Sequence, residues 1–477
     1  MRLPRPLASL IDWLRHDLPE RLPRPPRQID RRLLLGLVAA VAVAALVWIL
    51  VGVLSGDDEP EVETRVVTVA VETDDAEAAP VGPLGFPLVA TRNTTRIGGP
   101  DVATDAAAVA LATHPRSPRA GPPEAAVLVG GDSPYAGIAA AVLAGPPLQA
   151  PILIGGDGGL PDVTADALAK LNPQGGSGPA DAAVYRVGDV AAPSGLQSEQ
   201  VGGGSPAEIA AAVDELRTRL VKVPPQHLLV VSSEQAPYAM PAAAWAARSG
   251  DPVLFSGRDQ VPEATLEALA RHRGVPIFVL GPPSVISDEA LRQLERVTPG
   301  VQRVGAEGPV ANAIAFARCG TEAPLAQQCG DSTFAWNLNR PGHGFAIASV
   351  SRPLDAAAAA SLAGGGKWAA LLLIDSADTL PSELRSYLLD LKPGYEDDPT
   401  LAVYNHFWLL GDAAAIGARV QAELDVIAEA AEIGAGTGGP VSEPEDLGQS
   451  GSGAPSGPDF EPEPEPEPQT PQKGQQP

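Results

Sequence analysis

Residues 126–154, AVLVGGDSPYAGIAAAVLAGPPLQAPILI, decide the fold class of this chain. The apolar runs at 126–129 and 151–154 contain no alternating polar positions, which predicts strands that are buried on both faces. The Ala-rich stretch between them, residues 135–144, predicts a helix. A strand, a helix and a second strand in this order form a parallel pair joined by a right-handed crossover.

This pattern occurs three times along the chain. The first strands are predicted at 126–129, 228–231 and 345–350, and the Ala-rich helices at 135–144, 238–247 and 354–363. The second strands are predicted at 151–154, 252–255 and 371–374, and the third at 183–187, 276–280 and 407–410. Between the second and third strands, an apolar residue and a proline start a further helix in each unit, because proline suits a first helical turn. The sequence therefore predicts an α/β fold with three repeated Rossmann-like units and parallel sheets.

A long apolar segment precedes these repeats. Residues 33–54, LLLGLVAAVAVAALVWILVGVL, are apolar without a break, and about 20 such residues span a bilayer. Arg31 and Arg32 precede the segment and acidic residues follow it, so the positive-inside rule places residues 1–32 in the cytoplasm and the bulk of the chain outside. A cleaved signal peptide is the alternative, but the run exceeds the roughly 7–15 apolar residues of such peptides. The sequence thus predicts one transmembrane helix in a single-pass protein of the cell membrane.

The remaining boundaries follow changes in composition. Residues 55–85 are acidic and rich in Ala and Pro, which predicts a stalk. The repeat units are predicted at 86–200, 201–302 and 303–432. Residues 433–477 contain repeated Glu-Pro and predict a disordered tail. The formal net charge of −25 disfavours nucleic-acid binding, which relies on Lys and Arg contacts to phosphate.

The chain has two cysteines, Cys319 and Cys329. Outside the cytoplasm, a pair so close in sequence predicts a disulfide that closes a small loop and contributes about 2–3 kcal/mol. No further Cys or His pair has the spacing of a zinc site, so the sequence predicts no metal site and no cofactor.

Each predicted unit opens with a glycine-containing element before an Ala-rich helix. These elements are TRIGGPDVATDAAAVA at 95–110, VGGGSPAEIAAAV at 201–213 and RVGAEGPVANAIA at 303–315. With the order of elements over residues 90–432, they resemble the cell wall-binding repeat type 2 family of Gram-positive surface proteins. Arg96, Asp101 and Arg303 match its opening motif, and Asp355 matches the aspartate of its Pro-Asp-Ala helix start. The resemblance implies non-covalent attachment to anionic wall polymers by three units around a pseudo-threefold axis.

Further candidate polymer-binding residues follow the first strands, because ligands of parallel sheets usually sit beyond the carboxyl ends of strands. They are Asp132, Ser133, Ser232, Glu234 and Arg352. Capping of the next helix is the alternative for the Ser and Asp residues. Tyr135 and Tyr238 start equivalent helices, and their alternatives are stacking on a sugar and packing between units.

The chain carries no P-loop, G-x-S-x-G or H-E-x-x-H motif, so no catalytic residue and no enzyme is predicted. The leading hypothesis is a membrane-anchored envelope protein that binds an anionic cell-wall polymer, or a peptidoglycan-linked glycan, through the three units. The alternative is an envelope enzyme or small-ligand receptor, which a His or Ser with an oriented acidic partner in a cleft would favour. The net charge of −25 opposes binding to an anionic polymer unless cations bridge the two.

Overall fold

The computed structural model describes residues 88–432 of the chain, except for 116–120, 157, 177–180, 299, 321–332, 368, 397–399 and 401. Its strands are, in chain order, β1 (Leu88–Ala90), β2 (Thr94–Ile97), β3 (Ala126–Gly130), β4 (Ile152–Gly155), β5 (Val184–Val187), β6 (Ser198–Val201), β7 (Leu228–Ser232), β8 (Val253–Ser256), β9 (Ile277–Leu280), β10 (Val301–Val304), β11 (Gly344–Ser349), β12 (Ala370–Ile374), β13 (Gly394–Tyr395), β14 (His406–Leu410) and β15 (Ala431–Glu432).

Helices alternate with these strands. They are α1 (Val102–Thr113), α2 (Pro134–Ala140), α3 (Asp162–Leu171), α4 (Pro206–Val221), α5 (Ala236–Ser249), α6 (Glu263–Arg271), α7 (Asp288–Glu295), α8 (Pro309–Arg318), α9 (Asp355–Leu362), α10 (Ser382–Asp390) and α11 (Ala418–Ala428). A 3₁₀ segment, Ala141–Ala144, extends α2, and a π-helical segment, Ala363–Lys367, extends α9.

Three larger sheets contain most of the described strands. Their strand orders are β4-β3-β5-β6, β8-β7-β9-β10 and β12-β11-β14-β2-β1. All neighbours in them pair in parallel except β1 and β2, which are antiparallel. The prediction of an α/β fold with parallel sheets is therefore confirmed. Strands β3, β7 and β12 are buried at every residue, in agreement with their uninterrupted apolar sequences.

Sheet pairing crosses the predicted boundaries between the repeat units. The element at 201, predicted to open the second unit, belongs to β6, which is the fourth strand of the first sheet. The element at 303 belongs to β10 in the second sheet. Strand β2, near the start of the described chain, pairs in parallel with β14 and so completes the third sheet. An edge strand in a sheet has unpaired backbone groups, and β2 satisfies those of β14, which has no later strand beside it.

The Ala-rich helices α2, α5 and α9 contact one another pairwise. Alanine and glycine allow helices to approach closely because their side chains occupy little space. A Cβ atom added at Gly145, which follows the α2 extension, would lie 2.2 Å from the carbonyl oxygen of Ala247. At Gly364, in the α9 extension, it would lie 2.1 Å from that of Ala144. These backbones therefore touch at positions where no larger residue fits.

The predicted fold class needs one correction, which concerns its transmembrane helix. Within residues 88–432, apart from the gaps named above, no helix is long and apolar enough to cross a membrane. The segment predicted to span it, residues 33–54, lies outside the described residues, as do the predicted cytoplasmic segment, stalk and C-terminal tail. No helix of the described residues therefore supports the predicted membrane span.

Candidate functional site

The carboxyl ends of the strands in the three larger sheets are candidate ligand sites, because ligands of parallel sheets usually bind there. In each sheet the chain continues to one side after its first strand and then returns to pair on the other side of it. Ligands of open parallel sheets bind in the crevice at such reversals, which here lie between β3 and β5, β7 and β9, and β11 and β14. Most residues predicted from the sequence lie at these three edges.

Arg96 lies on β2, and its side chain is buried. Its guanidinium donates hydrogen bonds to the carbonyl oxygens of Gly411 at 2.9 Å and Ile416 at 2.6 Å. It also donates to the carbonyl oxygen of Asp412 at 2.8 Å and to Gln421 Oε1 at 2.9 Å. Burial lowers the pKa of this guanidinium from its ordinary value. Arg96 therefore holds the turn that follows β14, and its donors are directed into the protein.

Arg303 makes the corresponding backbone contact in the second sheet. It donates to the carbonyl oxygen of Gly281 at 2.8 Å and contacts Asp288 at 3.2 Å. In the first sheet the equivalent position is Gln200, whose amide donates to the carbonyl oxygen of Gly188. An Arg, an Arg and a Gln thus bind the carbonyl group of the glycine that ends the neighbouring strand. The opening motif therefore places a side-chain donor where a backbone carbonyl group needs a hydrogen-bond partner.

Of two further predicted residues, one caps a helix and the other binds the turn that precedes a helix. Asp101 is exposed, and its carboxylate accepts hydrogen bonds from the backbone N–H of Thr104 at 2.9 Å and from the Thr104 hydroxyl at 3.0 Å, which caps α1. The Ser232 hydroxyl is buried and accepts the backbone N–H groups of Glu234 and Gln235. Asp101 therefore satisfies a donor in the first turn of α1, and Ser232 satisfies two donors of the turn before α5.

Other predicted residues stay accessible at the sheet edges. Asp132 is exposed and Ser133 is half-buried beyond β3. Glu234 is exposed beyond β7, and its Oε1 accepts the backbone N–H of Arg258 at 3.0 Å. These three side chains are the predicted candidates that a ligand could reach at the first and second sheets.

The two tyrosines lie between packed elements. The ring of Tyr135 meets Phe255 of the second sheet edge-on, with centroids 5.4 Å apart, and burial raises the pKa of its hydroxyl. Tyr238 is buried, and its hydroxyl accepts the backbone N–H of Gly308 at 2.9 Å. Its own carbonyl oxygen accepts the side-chain amide of Asn312 at 3.2 Å. Both side chains thus occupy positions that connect neighbouring units.

The structure brings Arg352 and Asp355 together with Asp105, which the sequence analysis did not select. Both carboxyl groups are fully buried, and Arg352 contacts Asp105 through Nη2 and Asp355 through Nε, the latter at 3.1 Å. Asp105 also accepts the backbone N–H of Gly99 at 2.6 Å. Burial raises the pKa of Asp105 to about 9, with a further contribution from Asp355, and burial raises that of Asp355 to about 6. One guanidinium therefore faces two carboxyl groups, which share a proton near neutral pH.

A signal for this cluster exists in the repeats. Asp105, Ile209 and Asn312 each follow the opening glycine of their element by the same seven positions. Only the element at 95–110 has a carboxyl group there, and only the third unit has an Arg and an Asp at the start of its Ala-rich helix. Comparison of the three units with one another would have selected Asp105.

A second polar group lies at the opposite, amino-terminal ends of the second sheet's strands. His227 and Asp251 precede β7 and β8, and both are buried. His227 Nδ1 is 3.1 Å from Asp251 Oδ2, and His227 Nε2 is 3.1 Å from the hydroxyl oxygen of Thr333, an exposed residue. Asp251 Oδ2 also accepts the indole N–H of Trp245 at 3.0 Å. No local sequence pattern marks this group, because 106 positions separate His227 from Thr333.

The two remaining sequence predictions concern metals and the disulfide. Among the residues that the structure describes, no group of three or more His, Cys, Asp or Glu side chains could hold a metal ion. Cys319 is buried at the end of α8. Cys329 lies outside the described residues, so the disulfide stays a prediction.

Comparisons with known proteins give a fold similarity. No family model and no curated protein match the chain. Among solved structures, Cwp6 from Clostridium difficile has a TM-score of 0.54 and 16% identity over 70% of this chain and 48% of that one. Cwp8 from Clostridium difficile has a TM-score of 0.52 and 20% identity over 71% of this chain and 52% of that one.

The chain shares the fold of these two cell wall proteins. It spans about half the length of each. The predicted membership of the cell wall-binding repeat type 2 family is not confirmed, since no family model matches.

Proposed function

We propose that this chain is a cell-wall-associated protein that binds an anionic wall polymer non-covalently through its three repeated units. The observation that carries the proposal is the three-sheet fold, which extends over about 70% of the chain and is shared with two cell wall proteins of Clostridium difficile. The repetition of one crevice at three sheet edges supports it further, because three linked weak sites raise avidity without any new contact.

The polymer contacts are assigned to the accessible residues at these edges. Asp132, Ser133 and Glu234 are reachable there, whereas Arg96, Tyr238 and Arg303 already bind protein groups. Four of the described exposed arginines, those at 92, 258, 292 and 385, pair with carboxylates, which reduces the positive charge available to an anionic polymer. With a net charge of −25, the protein would bind an anionic polymer through bridging divalent cations, for which the exposed carboxylates provide oxygen ligands.

The test is cosedimentation of the purified full-length protein with purified cell walls. Walls from which the anionic polymers have been removed are the control. We expect retention on complete walls and its loss on stripped walls. Equal retention on both preparations would contradict polymer recognition, and absence from both pellets would contradict wall binding altogether.

The alternative function, an envelope enzyme or small-ligand receptor, has one specific observation in its favour. The imidazole of His227 is oriented by Asp251 and faces an exposed hydroxyl group. This is the arrangement that was expected to distinguish an enzyme from a binding protein.

A further inference from the structure

Aromatic side chains gather at one place in a chain that has few of them. The protein contains 8 Phe, 6 Tyr and 6 Trp among 477 residues. Five of these rings contact one another at the amino-terminal ends of β7 and β9: Trp245, Phe278, Phe316, Phe334 and Trp336. A second group of rings, Phe345, Tyr387 and Phe407, lies at the third sheet, so the cluster at the second sheet is distinguished by its two contacting tryptophans.

A cleft of about 370 Å³ opens beside this cluster. Trp245 and Trp336 line it together with Gln226, Arg248 and Thr333. Its volume lies at the lower end of the roughly 300–1,000 Å³ typical of small-ligand sites. The lining combines two apolar ring edges with amide, guanidinium and hydroxyl groups, which suits a molecule that presents both C–H and O–H surfaces.

The cleft lies where the repeated packing of the central helices is interrupted. Gly145 and Gly364 each directly follow the Ala-rich stretch of their unit, residues 135–144 and 354–363, and each lies against a neighbouring carbonyl group. The equivalent residue in the second unit is Arg248. The arginine side chain is too large for the close backbone contact that the two glycines make, and it lines the cleft instead.

The hydrogen bonds define the role of the imidazole. Asp251 Oδ1 accepts the backbone N–H of His227 at 3.0 Å, and its Oδ2 accepts the Trp245 indole N–H at 3.0 Å. A carboxylate that accepts these bonds also accepts a hydrogen bond from Nδ1–H, so Nδ1 carries the hydrogen and Nε2 presents its lone pair. That lone pair is 3.1 Å from the Thr333 hydroxyl oxygen, which is a suitable distance for general-base catalysis.

The other two units show that the fold does not need this arrangement. The positions equivalent to His227 are Ala125 and Gly344, and those equivalent to Asp251 are Ala150 and Ala369. Small residues are therefore sufficient at both places in two sheets of the same protein. The polar pair in the second sheet costs the desolvation of an imidazole and a carboxylate, which a purely structural position would avoid.

We propose that Thr333 is a catalytic nucleophile that cleaves carboxylic esters in this cleft, with His227 as its general base and Asp251 as a positioning residue. The hydroxyl oxygen of Thr333 attacks the ester carbonyl carbon while its proton passes to His227 Nε2. The carbon–oxygen bond to the alcohol then breaks, and Nε2 returns the proton to the departing alkoxide. Water attacks the resulting Thr333 ester with the same base, which releases the carboxylic acid and restores the hydroxyl.

The substrate class is a small O-acyl ester of a polyhydroxylated alcohol or a sugar. The tryptophan edges accommodate C–H faces, and Gln226 and Arg248 provide donors for hydroxyl groups and for the developing oxyanion. The cleft is at the amino-terminal ends of the strands, away from the edges proposed to bind polymer. Wall binding and ester cleavage can therefore succeed or fail independently.

The first test is labelling of the full-length protein with a fluorophosphonate probe, followed by peptide mass spectrometry. We expect an adduct on Thr333, faster labelling of Thr333→Ser because a primary hydroxyl is less hindered, and none at this position in Thr333→Val. Thr218→Val removes another exposed threonine hydroxyl and should label like the wild type. Absence of the adduct in both the wild type and Thr333→Ser would overturn the proposal.

The second test measures hydrolysis of p-nitrophenyl acetate. Thr333→Val should reduce the rate to that of the reaction without protein, whereas the Thr218→Val control should keep the wild-type rate, and an unchanged rate in Thr333→Val would refute the nucleophile. Asp251→Asn should lower kcat at least about a hundredfold with little change in KM, because Asp251 does not line the cleft and general-base assistance typically contributes 10²–10⁴-fold. Equal unfolding temperatures for wild type and Asp251→Asn exclude misfolding as the cause, and an unchanged kcat would remove Asp251 from the mechanism.

Discussion

Replacing Asp355 by asparagine should change how the stability of this protein depends on pH. Asp105 and Asp355 are fully buried beside the single guanidinium of Arg352. Burial raises the pKa of both carboxyl groups, to about 9 and about 6, so the folded pair holds a proton near neutral pH that the unfolded chain has already lost. The variant removes the charge of Asp355 beside Asp105, so the pKa of Asp105, which burial raises most, should fall only part of the way.

The sign and size of the effect follow from proton linkage. A raised pKa gives stability that is complete below the unfolded value near 4 and is lost as the pH rises toward the folded value. With one proton more in the folded state, the free energy of unfolding falls by about 1.4 kcal/mol per pH unit. Between about pH 5.5 and 7.5 the pair should therefore reduce stability by about 2–3 kcal/mol, and Asp355→Asn should remove the part of this loss that the Asp355 charge causes.

The assay is urea unfolding of the wild type and the variant at both pH values. Burial lowers the pKa of His114 and His343, which gives a pH dependence of opposite sign, but these residues are common to both proteins and cancel in the comparison. Asp132→Asn, which replaces an exposed carboxylate, is the matched control and should follow the wild type. Parallel stability curves for wild type and Asp355→Asn would refute the shared proton.

Four further predictions concern packing, backbone satisfaction and binding. Arg96→Met should lower the free energy of unfolding by roughly 2–4 kcal/mol, measured by urea titration, because buried carbonyl groups lose their donors. Gly364→Ala should cost about 1–3 kcal/mol in the same assay, since its Cβ would lie 2.1 Å from a carbonyl oxygen, whereas Gly121→Ala has open space and should be neutral. Wall cosedimentation should be lost in a chelator and restored by magnesium, and retention in the chelator would argue against cation bridging. Mass spectrometry of the unreduced protein should find Cys319 joined to Cys329, and two free thiols would contradict the disulfide.

The sequence identified several positions of the candidate site, but it did not reveal the roles of their side chains. The opening motif marked Arg96 and Arg303 as candidate polymer-binding residues. Its physical task, binding the carbonyl group of the glycine after a neighbouring strand, depends on a partner 315 residues away for Arg96. A motif identifies a position at which one residue type is favoured, whereas burial decides whether the side chain faces solvent or the protein.

The order of strands and helices was determined by local sequence. Uninterrupted apolar runs, Ala-rich stretches, Pro at helix starts and Gly after strands act within a few residues, and each repeats at the same spacing in three units. The tertiary structure alone decided which strands meet, because an edge strand carries no local signal for its partner. Thus β2 completes the sheet of β14 instead of opening the first unit. The same long-range pairing brings Asp105 to Arg352 across 247 positions, and packing of the second sheet brings Thr333 to His227.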